Sequence, residues 1–260
     1  MSKGFVIGFA LGLALLGIVG AGASRQGRKD QERKDAEKYR AEIADATPAQ
    51  VGILTQKQRF HSRLHNGYGK DFPGESVSEW IASYRGKRTV LERNVYGRMW
   101  FPSDQPEIPE DYFARFAEES DAIVRGRAIH KTSQITEDDL FLFTDYDVVV
   151  SEIFKNNAIR TIDTGDSITV TCLGGKIVRD DVIIKAGGNG VALLQLNVQD
   201  VLLFLKFLPE TDGYKLAKYN GVFELNGVSA HPLVGLFNFD PAFFKDEGSF
   251  LKTIKQVSNK

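Results

Sequence analysis

The stretch Phe141-Leu142-Phe143-Thr144-Asp145-Tyr146-Asp147-Val148-Val149-Val150-Ser151-Glu152-Ile153-Phe154 decides the fold class. Tyr146, Val148 and Val150 alternate with Asp145, Asp147 and Val149. A period of two gives a strand one buried face and one mostly wet face. Working outward, residues 122–129, 167–172, 182–185, 201–208, 214–218 and 222–225 also read as strands. Residues 201–208 are apolar on both faces apart from Lys206, which predicts a central or doubly covered strand. Asn156-Asn157, Gly174-Gly175 and Gly187-Gly188-Asn189-Gly190 are loops, while Asp212-Gly213 and Asn220-Gly221 tolerate the positive φ of tight hairpins. Short strands with frequent turns predict a sandwich or small barrel.

Helices flank this region. Thr47-Pro48-Ala49-Gln50 offers an N-cap, a proline at the first helical position and a glutamine at the capping-box position, predicting a helix from Thr47 to about Leu64. Ser76-Val77-Ser78-Glu79 is a second capping box, with Gly86 as its stop and Trp80, Ile81 and Tyr84 as its apolar face. Pro109-Glu110-Asp111 opens a third helix that turns Phe113, Phe116 and Ala117 inward. Asp240-Pro241 starts a C-terminal helical tail, where Phe250, Leu251, Ile254 and Val257 share one face.

Residues 1–24 have a different character. Lys3 precedes an uncharged apolar run, and Ala21-Gly22-Ala23 closes it before Ser24. A basic start, an apolar run and an A-x-A end compose a signal peptide. The run is also about as long as the roughly 20 residues a spanning helix needs. The expectation is therefore a signal peptide or a transmembrane anchor, with export to the cell envelope as a periplasmic, extracellular or membrane-anchored chain. Arg25, Arg28 and Lys29 weakly oppose that orientation. Residues 25–46 alternate in charge and read as a solvated helix or linker.

The chain has 260 residues, 42% of them apolar and 26% charged, enough for a core. The net charge of -1 gives no electrostatic footprint for nucleic acid. Cys172 is the one cysteine, so no intrachain disulfide forms. Its alternation with Ile168 and Val170 predicts a small buried core residue.

Residues 136–139, Phe143-Thr144-Asp145-Tyr146 and 150–157, followed by the 165–175 and 202–209 strands, resemble a set of uncharacterised bacterial exported proteins with a small β-barrel domain. That resemblance covers roughly residues 119–226 and implies no activity. The order of a 120–128 strand, a tyrosine-bearing strand ending in Phe154-Lys155, a Leu-rich strand and an Asp-Gly hairpin is similar to the OB-type fold of tissue inhibitors of metalloproteinases and netrin-like modules. Those inhibitors hold zinc through an N-terminal cysteine, and no cysteine stands near Ser24. The resemblance therefore implies the fold and leaves the inhibition behind.

His61-Ser62-Arg63-Leu64-His65 is the sharpest chemical pattern. On a helix the two histidines lie one turn apart and can share a metal. The zinc-protease motif needs glutamate after the first histidine, and Ser62 stands there. Asp145 and Asp147 share a strand face, with Glu137, Asp138 and Asp139 before them, as paired carboxylates for hydrolysis or calcium would. Alternation on a wet strand explains the same pattern. The 187–190 loop lacks the Gly-Lys-Ser/Thr ending of a phosphate loop, and Ser229 with His231 lacks a nucleophile elbow.

These readings combine into an α+β chain: an apolar N-terminal helix and short helices, then a mainly antiparallel, OB-like small β-barrel, then a C-terminal helix. The segments are 1–24 signal or anchor, 25–46 charged helix or linker, 47–118 helical packing segment, 119–226 barrel and 227–260 helical tail. The expected function is a non-catalytic, exported or membrane-tethered interaction module. No catalytic residue and no cofactor are assigned, and His61 and His65 are the metal candidates. The expected partners are a protein or glycan and, through an uncleaved 5–24 segment, the membrane, with no nucleic acid. An exported hydrolase or metal-binding protein is the alternative, and a protease-inhibitor-like barrel the third.

Overall fold

The computed structural model describes residues 27–48, 54–66, 76–94, 109–187, 194–197, 200–218, 220–233 and 241–259. In chain order the first half holds helix α1 (27–43), β1 (Thr47–Pro48), α2 (Gln56–His65), α3 (Val77–Tyr84), β2 (Thr89–Asn94) and α4 (Pro109–Glu119). Then follow β3 (Ala122–Ile135), β4 (Leu142–Lys155), β5 (Ser167–Leu173), β6 (Gly175–Arg179), β7 (Val182–Gly187) and β8 (Asp200–Leu208). The chain ends with β9 (Gly213–Leu216), β10 (Val222–Leu225), β11 (Ala230–Pro232), a 3-10 turn over Pro241–Phe244 and α5 (Glu247–Ser258).

The strands form two sheets. One has seven strands in the order β11-β10-β8-β3-β4-β5-β9, with β9 also pairing with β8. The other has four, in the order β1-β6-β7-β2. This corrects the expected OB-like small β-barrel, while the expected apolar N-terminal helix falls on residues outside the described ones. The larger sheet runs on through β10 and β11, and residues 175–187 leave it to build the second sheet. That second sheet recruits β1 and β2 in parallel from the 47–118 segment, which the sequence presents as helical. Thr47 and Pro48 pair with Ile177 and Val178 rather than starting a helix.

The exit from one sheet to the other depends on Gly174 and Gly175, at φ 88 and 152. A Cβ on Gly175 would lie 2.3 Å from Thr144 Oγ1 and 2.8 Å from Ser133 Oγ, a buried hydroxyl pair that is itself bonded at 2.8 Å. Any side chain there would drive into these atoms, so the crossing requires glycine.

The described residues add no spanning helix to the membrane expectation: among them no helix is long and apolar enough to cross a membrane. Residues 1–24, on which the signal-peptide and transmembrane expectations fall, lie outside the described residues. Helix α1, the described element nearest to them, is polar: charges recur along it and its buried residue is Tyr39.

Three cores hold the layers together. Alternate residues of β3, β4, β5 and β8 fill the first, Tyr146, Val148, Val150, Ile168, Val170 and Cys172 among them. Cys172 is free and buried, and burial pushes its thiol up to about 12, so it packs as an inert apolar group. The other face of β8 presents Leu202 and Phe204 to α4, α5 and β10. Strand β8 is therefore apolar on both sides because both sides are covered. In the third core α3 lays Val77 and Ile81 on Ile177, Val182 and Ile184 of the four-stranded sheet. Its cap is the predicted one: Ser76 accepts from Glu79 N, and Glu79 accepts from Ser76 N.

Helix α1 docks by charge at its C-terminal end. Lys176 pairs with Glu42 at 2.5 Å and Asp45 at 3.1 Å, Lys131 pairs with Asp45, and Lys38 meets Glu92 at 3.0 Å. Burial alone would lower the Lys176 ammonium, but the hydrogen bonds it donates to Glu42 and Asp45 hold it above the ordinary lysine value. The Lys176 side chain is only 10% exposed, so solvent and salt screen this cluster less than a surface pair. Lys176→Met is expected to raise amide hydrogen exchange in α1 while the β3–β4 ladder keeps its protection. Unchanged protection of α1 would show that the cluster does not hold the helix.

Candidate functional site

The predicted histidine pair sits on α2, whose buried residues are all polar: His61, Ser62 and His65. They fall at i, i+1 and i+4, one side of a helix. The helix starts at Thr55, whose side chain accepts from Gln58 N while the Gln58 side chain accepts from Thr55 N. A helix with so polar an inner face gains little from apolar burial. Its attachment must come from hydrogen bonds, each worth about 1 kcal/mol net and more where a charge is involved.

The surface it covers is the polar face of β4 and β5. Register places Asp145 opposite Thr171 and Asp147 opposite Thr169. His61 Nδ1 lies 2.8 Å from Asp145 Oδ1, and its Nε2 lies 3.0 Å from Thr211 Oγ1. His65 Nε2 reaches Thr171 Oγ1 at 3.4 Å, and its ring stacks on Phe143 at 6.2 Å. Lys57 donates to Thr169 Oγ1 at 3.1 Å. Ser62 Oγ accepts the Glu137 backbone N–H at 2.6 Å, and Arg63 pairs with the Glu137 carboxylate. The strand face that sequence presents as wet is thus roofed by a helix, polar group against polar group.

The other predicted carboxylates go elsewhere. Asp147 faces His130 at 3.2 Å and accepts from Thr169 at 3.4 Å. Asp138 accepts from Thr136 Oγ1 and Leu140 N inside the β3–β4 turn. Asp139, at φ 56, accepts from Ser78 N and Ser78 Oγ and so holds the first turn of α3. His61 and His65 share a face, as their spacing requires, yet both ring nitrogens of His61 are already engaged. Among the described residues no group of three or more His, Cys, Asp or Glu is placed to hold a metal ion. Ser229 and His231 do meet, at 2.8 Å, in the β10–β11 hairpin. The 187–190 loop lies mostly outside the described residues.

Asp145, His61 and Thr211 form a carboxylate–imidazole–hydroxyl chain. A carboxylate that orients an imidazole, which in turn faces a hydroxyl, is the arrangement that activates a nucleophile. His61 is fully buried, and a Cβ built on Gly213 would lie 3.4 Å from Thr211 Oγ1 and 3.8 Å from His61 Nε2. Sequence reasoning misses Thr211 altogether. It stands in the β8–β9 turn, 150 residues from its partner, and only the Asp212-Gly213 hairpin signal marks the place.

Burial holds His65 down at about 4, with His61 and Lys215 also lowering it and Asp145 opposing them. An unfolded histidine titrates near 6.5. Between the two values the unfolded chain carries a proton that the folded chain does not. Stability is therefore lost as pH falls from about 6.5 to about 4, by up to about 3 kcal/mol, and the loss levels off below that. His65→Gln is expected to flatten this part of a urea-denaturation profile. Identical slopes for both proteins would show that His65 titrates normally.

No family model matches the chain, and no curated protein matches it in sequence.

Proposed function

We propose that this chain is a non-catalytic interaction module exported to the cell envelope, where it binds a protein or glycan partner. The observation that carries the non-catalytic reading is the state of His61. It is fully buried, and both of its nitrogens are used to seat α2. Glu137, Asp138 and Asp139 are likewise spent on tying α2, a turn and α3 into place. A catalytic group must reach its substrate. Here the titratable groups in the best positions face other parts of the same chain. Helix α1 fits a spacer: its first turns are exposed, and Arg28–Glu32 and Arg33–Glu37 pair along it at i, i+4. The inhibitor reading rested on the small barrel and falls with it.

One observation favours a second reading, a hydrolase, and that is the Asp145–His61–Thr211 chain itself. In that reading His61 would take the Thr211 hydroxyl proton as the oxygen attacks an ester or amide carbon. One experiment separates the two. The full-length chain, expressed in its host with a photo-crosslinking residue at Ile159 or Val228, is fractionated and treated with a fluorophosphonate. Among the described residues these are the most exposed large apolar side chains, at 77% and 72%. A discrete crosslinked partner in the envelope fraction, without fluorophosphonate on Thr211, is expected. Labelling of Thr211 that His61→Gln abolishes would replace the module by the hydrolase.

A further inference from the structure

The β10–β11 hairpin holds a set of contacts that no binding or folding argument uses. Its loop is Asn226-Gly227-Val228-Ser229, joined at Leu225 opposite Ala230. The Gly227 N–H donates to Glu247 Oε2 at 2.6 Å. Asn226 Oδ1 accepts from Val228 N at 2.9 Å, Ser229 N at 2.8 Å and Ser229 Oγ at 3.3 Å. Asn226 Nδ2 lies 3.1 Å from Ser229 Oγ and 3.4 Å from His231 Nε2, and these last two are 2.8 Å apart.

We propose that Asn226-Gly227 is a self-modifying site, at which the folded hairpin converts the asparagine to a succinimide and then to aspartate or isoaspartate. Each step has a group in place. The Gly227 nitrogen attacks Asn226 Cγ and forms the N–C bond, and its proton passes to the Glu247 carboxylate. The carbonyl electron pair moves onto Oδ1, where two backbone N–H groups and a hydroxyl receive the charge as an oxyanion hole does. The pair returns, the Cγ–Nδ2 bond breaks, and nitrogen leaves as ammonia with a proton from the Ser229–His231 pair, which solvent restores as Glu247 releases the proton it took. Water then opens the ring. The net change is water in and ammonia out, with no oxidant or reductant. Gly227, at φ +84, has no side chain to shield its nitrogen, and nothing lies within 4 Å of where a Cβ would be. Asn226, Gly227 and Val228 are exposed, so water reaches the ring.

Asn220-Gly221, six residues earlier, lacks this arrangement. Gly221 N–H donates to the Lys218 carbonyl, which cannot take a proton, and Asn220 Nδ2 donates to Tyr112. It serves as a control in the same molecule. The test is peptide mapping by mass spectrometry of the full chain incubated near neutral pH, folded and in urea. A gain of one mass unit at Asn226 is expected at least about a hundredfold faster in the folded chain than in urea, the lower end of what positioned acid–base groups supply. Asn220 is expected to slow on folding. Glu247→Gln and the exposed His231→Gln are each expected to slow Asn226 in the folded chain, and a normal urea midpoint for His231→Gln separates this from misfolding. Slower conversion of Asn226 in the folded chain than in urea would overturn the proposal, because the same hydrogen bonds would then be locking the amide. Wild-type rates in both variants would overturn it too.

Discussion

Phe113→Ala is expected to lower the folding free energy by about 3–5 kcal/mol. Phe113 is fully buried on α4. Its ring lies between 5.3 and 6.3 Å from those of Tyr112, Phe116, Phe204, Phe223, Phe243 and Phe250. These neighbours come from α4, β8, β10, the 3-10 turn and α5, so one side chain joins five elements. Removing it forfeits the apolar area and leaves a space that five elements cannot all close at once. The edge-to-face contacts with Tyr112, Phe223 and Phe250 add about 0.5–1.5 kcal/mol each beyond area. Phe113→Leu, which keeps most of the volume, should cost far less, near 1.5 kcal/mol. Urea titration of both variants checks this, with the alanine midpoint well below the leucine one. An alanine variant within about 1 kcal/mol of the parent would mean that the aromatic cluster is not the clamp between α4, α5 and the sheet.

That cluster was half legible in sequence. The inward face of Phe113, Phe116 and Ala117 follows from helical spacing, and so does that of Phe250, Ile254 and Val257. What spacing cannot show is that both faces meet over β8. The capping boxes make the same point more sharply. Thr47…Gln50 and Thr55…Gln58 carry the same local signal, threonine with glutamine three residues on. The first is a strand because Thr47 finds Ile177, and the second is the actual cap of α2. Tertiary pairing overrides local preference when the two compete. The β6–β7 hairpin was missed because Asp180 and Asp181, at φ 51 and 62, make its turn without the Asn-Gly or Asp-Gly signature. Once that hairpin is unseen, the second sheet has no nucleus, and a single barrel is the natural reading. At the site, the spacing of His61 and His65 was readable. Their partners were not, because Asp145 and Thr211 lie 84 and 150 residues from His61.

His61→Leu is expected to cost about 1–3 kcal/mol, the range for leaving a buried polar group without its hydrogen-bond partner, and more where that group is a carboxylate. The His61 side chain is fully buried and the Asp145 side chain 14% exposed. Without the imidazole, the carboxylate stays under α2 with no donor in its place, and Thr211 Oγ1 loses its partner at Nε2. Asp145→Leu should destabilise for the mirror reason, stranding the Nδ1 donor. The double variant His61→Leu/Asp145→Leu should cost clearly less than the sum, since it removes both stranded groups together. The shortfall measures the coupling between the two residues. Amide exchange should rise first in α2, whose buried residues are otherwise only Ser62 and His65, while the β3–β4 ladder stays protected. The same data bear on function. A histidine kept for catalysis can be removed at little cost in stability, and functional groups are often held at a stability penalty. A histidine kept as the peg of a polar helix cannot be removed so cheaply. If His61→Leu leaves both the urea midpoint and α2 protection unchanged, the peg reading is wrong, and the Asp145–His61–Thr211 chain has to be explained by chemistry instead.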